Sequence, residues 1–145
     1  KIKIINDPII QEYVGNDKSE YTCGIIFLDG HLKEFIVLKR SLKDGNTYIS
    51  EHEKNIENII SDYIKDISEK LKPYGSCNLQ LRIDKEGIPK LFEINPRHSG
   101  TTYIRSLFGY NEVTYIINYL IKGIEEEFSL NYGKAIRFFD EKLIK

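Results

Sequence analysis

The spacing of hydrophobic residues changes several times along the chain. Glu20–Leu28 and residues 31–40 are apolar enough for strands, and Asp29-Gly30 between them is the chemistry of a two-residue type I′ turn, so this stretch predicts a hairpin. Residues 9–14 form a shorter apolar-rich run that reads as a strand, and residues 41–49 read as a polar loop. The period then becomes helical. Ser50 and Glu53 stand at capping-box spacing ahead of Ile56, Ile59, Ile60, Tyr63, Ile64, Ile67 and Leu71, which trace one face of a helix that Pro73 and Gly75 end.

Beyond that helix the period drops to two. Cys77, Leu79, Leu81 and Ile83 alternate with Asn78, Gln80, Arg82 and Asp84, the pattern of a half-buried strand; Gly87 marks a turn and residues 88–94 return. A one-residue slip would turn one strand's apolar face against its partner's polar face, so the register can be read. Pairing Leu81 with Phe92 and Leu79 with Ile94 satisfies both faces, and it sets Gln80 opposite Glu93 and Asn78 opposite Asn95 on the face away from the core.

Residues 95–100 read as a loop and residues 101–108 as a short helix ended by Gly109. Val113, Ile116, Ile117, Leu120 and Ile124 form a second helical stripe, and residues 135–144 a final strand. These elements predict an α+β fold, an antiparallel β-sheet with helices packed on one face, built as one domain over residues 1–145.

Composition narrows the function. Hydrophobic residues make up 41% and charged residues 30%, ordinary for a globular chain, and the formal net charge of -1 supplies no general attraction for nucleic acid. No apolar run approaches the roughly 20 residues of a membrane span, and no secretory leader is recognisable, so no membrane partner and a cytoplasmic location are expected. The start at Lys1 without Met suggests a fragment or a trimmed chain. Cys23 and Cys77 lack the spacing of a zinc site and read as reduced core residues. His31, His52 and His98 have no metal-ligand spacing either, and His52 reads as a solvated residue of the first helical turn. Lys39 and Arg40 end a strand, within reach of phosphate or simply solvated.

The chemistry concentrates at Glu93-Ile94-Asn95-Pro96-Arg97. A carboxylate and an amide two residues apart on a strand point the same way and can reach one ion. Magnesium takes hard oxygen ligands and keeps phosphate oxygens and water in its shell, so Glu93, Asn95 and the opposite Gln80 would suffice from the protein. Arg97, always charged and fork-shaped, could hold either a phosphoryl group or a substrate carboxylate.

Asn78-Leu79-Gln80 followed by Leu91-Phe92-Glu93-Ile94-Asn95-Pro96-Arg97-His98-Ser99-Gly100-Thr101 resembles the metal-binding core of the ATP-grasp carboxylate-amine ligases, with carbamoyl-phosphate synthase large subunits the nearest branch. Ile10-Gln11-Glu12-Tyr13-Val14-Gly15, then Glu20-Tyr21-Thr22, resembles that family's hinge between its two ATP-gripping lobes. The resemblance implies the C-terminal lobe of an ATP-grasp module, spanning residues 9–144. It implies ATP and Mg2+, with Mn2+ as a substitute, as cofactors. Glu93 would bridge two metal ions, Gln80 and Asn95 would each help hold one, and Arg97 would lie beside the transferred phosphate. Main-chain groups of Glu12, Tyr13 and Val14 would pair with adenine, and the Glu20 carboxylate would accept from a ribose hydroxyl.

The reaction so implied joins a small-molecule carboxylate to an amine through an acyl phosphate, with the missing N-terminal lobes of the same enzyme as partners and the isolated chain inactive. Gln11 stands where the family often has an acid, and His98 where an apolar residue is common. Two other readings compete: a non-catalytic module that binds Mg-nucleotide, and a structural α+β domain whose acidic hairpin binds nothing.

Overall fold

The computed structural model describes residues 7–138, and all their side chains but those at positions 17, 56 and 57. A 3-10 turn at Asp17–Ser19 leads into β1 (Glu20–Leu28), β2 (His31–Lys43), β3 (Asn46–His52), α1 (Lys54–Leu71), β4 (Gly75–Ile83), β5 (Pro89–Asn95), α2 (Thr102–Leu107), α3 (Glu112–Lys122) and β6 (Gly133–Ile136). The strands form one antiparallel sheet in the order β5-β4-β1-β2-β3-β6.

The first hairpin is as expected, with Asp29 and Gly30 both at positive φ, 52° and 80°. The polar loop over residues 41–49 is a correction. β2 runs on to Lys43, Asp44-Gly45 reverses the chain at φ 52° and 76°, and β3 follows. The signal was the same Asp-Gly pair, flanked here by polar residues that disguise the strands. Consequently Ser50 lies inside β3 opposite Arg40 and caps nothing. α1 starts at Lys54, and the Glu53 side chain at its N-cap makes no capping hydrogen bond. His52 is buried rather than solvated, its Nδ1 2.8 Å from the Asn131 carbonyl and its ring against Phe108 and Tyr132.

The α+β class and antiparallel sheet are as the sequence indicated, but the helices divide between both faces. α1 lays Ile60 and Ile64 over Cys23, Val37, Leu79 and Leu81. On the other face Ile104, Phe108 and Tyr115 cover Ile26, Leu28, Ile36 and Leu38. Every residue of β1 is buried, which is what its continuous apolar run at residues 25–28 signals: a strand covered on both sides does not alternate. Burial pushes the Cys23 thiol up to about 12, as befits a structural core cysteine.

Three further expectations need correction. Residues 9–14 form no strand; they are an irregular, largely exposed segment with no ladder partner. α3 turns Glu112 and Tyr115 inward, with Ile116 and Tyr119 half-buried, whereas Val113, Ile117 and Leu120 of the expected stripe are exposed, as is Ile124 just beyond it. The last strand spans four residues paired with β3, and the part of the expected element beyond residue 138 lies outside the described residues.

The β4–β5 register matches at Asn78–Asn95, Leu79–Ile94 and Gln80–Glu93, and then shifts, so that Leu81 faces Leu91. Phe92 is the extra residue of a bulge, which frees it from the core face and turns it toward residues 11–14.

Candidate functional site

The hairpin brings Gln80, Glu93 and Asn95 to one face of the sheet, as the register argument required. The Asn95 side-chain amide donates to Glu93 Oε1 at 2.7 Å, and an Arg97 guanidinium nitrogen lies 3.4 Å from Asn95 Oδ1. Glu93 is exposed and makes no ion pair among the described residues. Two hard oxygen donors, one of them an uncompensated carboxylate, suit a magnesium ion that keeps water or phosphate in the rest of its shell. Gln80 fits less well as placed, because its Oε1 accepts from Arg40 at 2.7 Å. Among the described residues no group of three or more His, Cys, Asp or Glu could hold a metal, so any ion here must rely on amide oxygens beside Glu93.

Glu20 is not open to a ribose hydroxyl. Arg40 reaches its Oε1 through Nε and a terminal nitrogen at 2.8 and 2.5 Å, and Arg82 reaches Oε2 in the same manner at 2.9 and 2.6 Å. Four charge-assisted donors fill the roughly four lone-pair positions of a carboxylate. The residue is 4% exposed and serves as the hub that orients two arginines. Burial works against the Arg82 charge, but the Glu20 bonds outweigh it and raise its affinity for the proton.

The segment expected to be a hinge lies beside this hairpin. Residues 11–14, Arg82 and Phe92 line an open cleft of about 520 Å³. The Tyr13 ring lies 4.4 Å from the Arg82 guanidinium, the Phe92 ring 5.5 Å from it, and the Gln11 amide is 3.5 Å from the Phe92 carbonyl. A flat apolar wall with exposed main chain opposite is suited to a planar heterocycle.

A second cleft, of about 150 Å³, lies between the sheet and loop 96–101; it is lined by Arg40, Asn78, Asn95, Arg97, Ser99 and Arg137 among others. Arg137 was missed from the sequence, since it lies just after β6, some 40 residues past the hairpin, and only the β3–β6 pairing brings it close. It donates to the Gly100 carbonyl, Arg97 donates to the His98 carbonyl at 3.0 Å, and neither has a carboxylate partner among the described residues.

Beneath this cleft is a sealed network that sequence reasoning also missed. Arg105 and Glu112, neither with any exposed side-chain surface, approach at 3.4 Å. Glu112 also accepts from Ser76 at 2.8 Å and Thr102 at 2.6 Å, while Arg105 donates to Thr22 at 3.2 Å and to Asn78 Oδ1. Burial pushes the Glu112 carboxyl up, but Arg105, the two hydroxyl donors and His98 hold it below the usual glutamate value. Gly24 makes room: a Cβ there would come within 2.6 Å of the Arg105 guanidinium.

An open cleft beside Phe92, an uncompensated Glu93 carboxylate with Asn95 at its side, and an arginine-lined pocket thus lie together on one antiparallel sheet. Residues 5–137 match the family model described as ATP-grasp in the biosynthetic pathway with Ter operon, and the chain belongs to the ATP-grasp family. Similar folds occur in the N5-carboxyaminoimidazole synthetase of Staphylococcus aureus complexed with ADP, at TM-score 0.57 and 16% identity over 74% of this chain and 30% of that one. The L-amino acid ligase of Bacillus licheniformis gives TM-score 0.57 and 17% identity over 75% and 31%. The N5-carboxyaminoimidazole ribonucleotide synthetase of Thermus thermophilus gives 0.63 and 12% over 83% and 35%. The chain thus spans about a third of the length of these neighbours. No curated protein matches it. No helix among the described residues is long and apolar enough to cross a membrane.

Proposed function

We propose that this chain is the nucleotide- and metal-gripping part of an ATP-dependent ligase that joins a carboxylate to an amine through an acyl phosphate. The observation that carries this reading is the side-by-side placement, from the β5 edge across one face of the sheet, of the Phe92 cleft, the Glu93–Asn95 pair and the Arg97–Arg137 cleft. Adenine would lie against Phe92 and the main chain of Glu12, Tyr13 and Val14. Glu93 and Asn95 would hold Mg2+, or Mn2+ in its place, with Gln80 joining once Arg40 turns to the ligand. Bound there, the metal would supply charge neutralisation for phosphate oxygens. Arg97, with Arg137, would hold the transferred phosphoryl group or the substrate carboxylate by charge-assisted bonds. Positioning, rather than covalent chemistry by the protein, would supply most of the rate.

The motif running from Asn78 to Thr101 supports a carbamoyl-phosphate synthase-like branch of the family. ATP is the cofactor, the acid and amine are small molecules, and the lobes that cover the phosphates are partners from the remainder of the enzyme. Calorimetric titration of the chain with ATP, in magnesium and in chelator, tests the reading. Metal-dependent binding weaker than the micromolar range is expected, because a half-site lacks the cations that cover the triphosphate. Absence of any metal-dependent heat at millimolar ATP would overturn it.

A further inference from the structure

Asn78 is 1% exposed and sits directly opposite Asn95 in the hairpin ladder. Its side-chain oxygen accepts from two donors at once, the Thr22 hydroxyl at 2.8 Å and the Arg105 guanidinium. A guanidinium can only donate, so the atom it meets must be the amide oxygen, and the orientation of the amide follows from the chemistry of its neighbour. The opposite end of the amide, the NH2 group, has no acceptor among the described residues. Among the described residues the polar side-chain atoms both sealed from solvent and unpaired are Ser50 Oγ and Arg105 Nε, so the Asn78 NH2 group is not sealed off, and Asn78 lines the cleft that holds Arg97 and Arg137. The sequence placed Asn78 opposite Asn95 on the face away from the core; the structure shows that it turns a donor to the cleft.

We propose that Asn78 is a ligand-binding residue whose NH2 group donates to an anionic oxygen in the Arg97–Arg137 cleft, and that the buried Arg105–Glu112 pair is the positioning device that fixes this polarity. Glu112 neutralises Arg105, so the guanidinium holds the amide without itself drawing the anion inward. Remove that pair and the amide is free to turn its carbonyl to the cleft, where it would repel the same oxygen. The anionic oxygen belongs to a phosphoryl or a carboxylate group, since both present it in the same way. The ligand class rests on the reading above, whereas the polarity of the amide does not.

The test follows the Asn78 side-chain amide by NMR in the 145-residue chain, its signals identified by their loss in Asn78→Asp. The probes are Mg-ATP, Mg-ADP, inorganic phosphate and acetate at matched ionic strength. Asn78→Asp keeps an oxygen for Thr22 and Arg105 but replaces the donor with a carboxylate oxygen. The added buried charge should lower its melting temperature, and the fraction that remains folded should lose roughly tenfold or more in affinity for the probe that moves the amide. Movement with phosphate or Mg-ATP assigns a phosphoryl oxygen, and movement with acetate a carboxylate.

An amide that moves with none of the four probes, or Asn78→Asp binding as tightly as wild type, overturns the assignment. The double variant Arg105→Met/Glu112→Leu removes both charges together, so it should fold and yet show the same loss of affinity. A folded double variant with wild-type affinity would overturn the positioning role alone. Failure of both nucleotides to bind would overturn the nucleotide reading, while the phosphate and acetate arms still decide the role of Asn78.

Discussion

Glu112 and Glu93 are carboxylates on the same side of the sheet, one without exposed surface and the other standing in solvent. Glu112 is held by an arginine and two hydroxyls and has nothing left to offer a ligand. Among the described residues Glu93 accepts a hydrogen bond only from its neighbour Asn95 and keeps its charge uncompensated. A buried carboxylate must be matched by donors or it destabilises the fold, whereas an exposed one can wait for a cation. The pair separates two roles within one face: the sealed network ties loop 96–101 to β4, and the open lip is left free for the binding proposed above.

The largest effect should come from breaking the sealed side. Glu112→Ala leaves Arg105 charged and buried, which costs about 3–5 kcal/mol and should show as a large loss in urea midpoint. A melt within error of wild type would mean that the pair carries no weight. Gly24→Ala comes next, because the added methyl meets Arg105 in a strand with no slack; a loss of about 1–3 kcal/mol is expected in the same assay.

Acid should act more gently, and through Glu112. Its folded carboxyl lies below the ordinary value of 4.5, so its contribution is present above that value and is lost as pH falls through the lower, folded one. Thermal melts from pH 6 to 3 should therefore steepen below about 4.5 in wild type, and less so in Glu112→Gln. Equal slopes for the two proteins would remove Glu112 from the acid response. Smallest in stability is Glu93→Gln, expected within about 0.5 kcal/mol of wild type, although it should abolish the metal-dependent part of ATP binding. If it unfolds the chain instead, Glu93 belongs with Glu112 and the division between the two fails.

What could be read beforehand follows the range of each signal. The β4–β5 hairpin and the first hairpin were legible because alternation and an Asp-Gly turn are local. The bulge at Phe92 was not, since either Leu91 or Phe92 could satisfy the apolar face opposite Leu81 and only packing decides. Gln80, Glu93, Asn95 and Arg97 were found on motif and spacing, and the structure brings them together. The engagement of Glu20 by Arg40 and Arg82 could not be read, because the two arginines come from other strands. Arg105 and Glu112 looked like ordinary charged residues on two short helices; nothing in a one-dimensional pattern says that a charge will be buried with its partner. The stripe on α3 was misjudged for the same reason, as the pairing of Glu112 rotates the apolar side outward.

The Phe92 bulge has a second consequence, for association between molecules. Among the described strands β5 is an edge of the sheet, and a regular edge offers its free amides and carbonyls as a template for another chain. Here the extra residue breaks the ladder midway, Gln11 reaches the Phe92 carbonyl, Lys90 adds charge, and Pro96 follows the last residue of the strand. The irregularity that turns an aromatic ring toward the cleft therefore also makes this border a poor nucleus for aggregation.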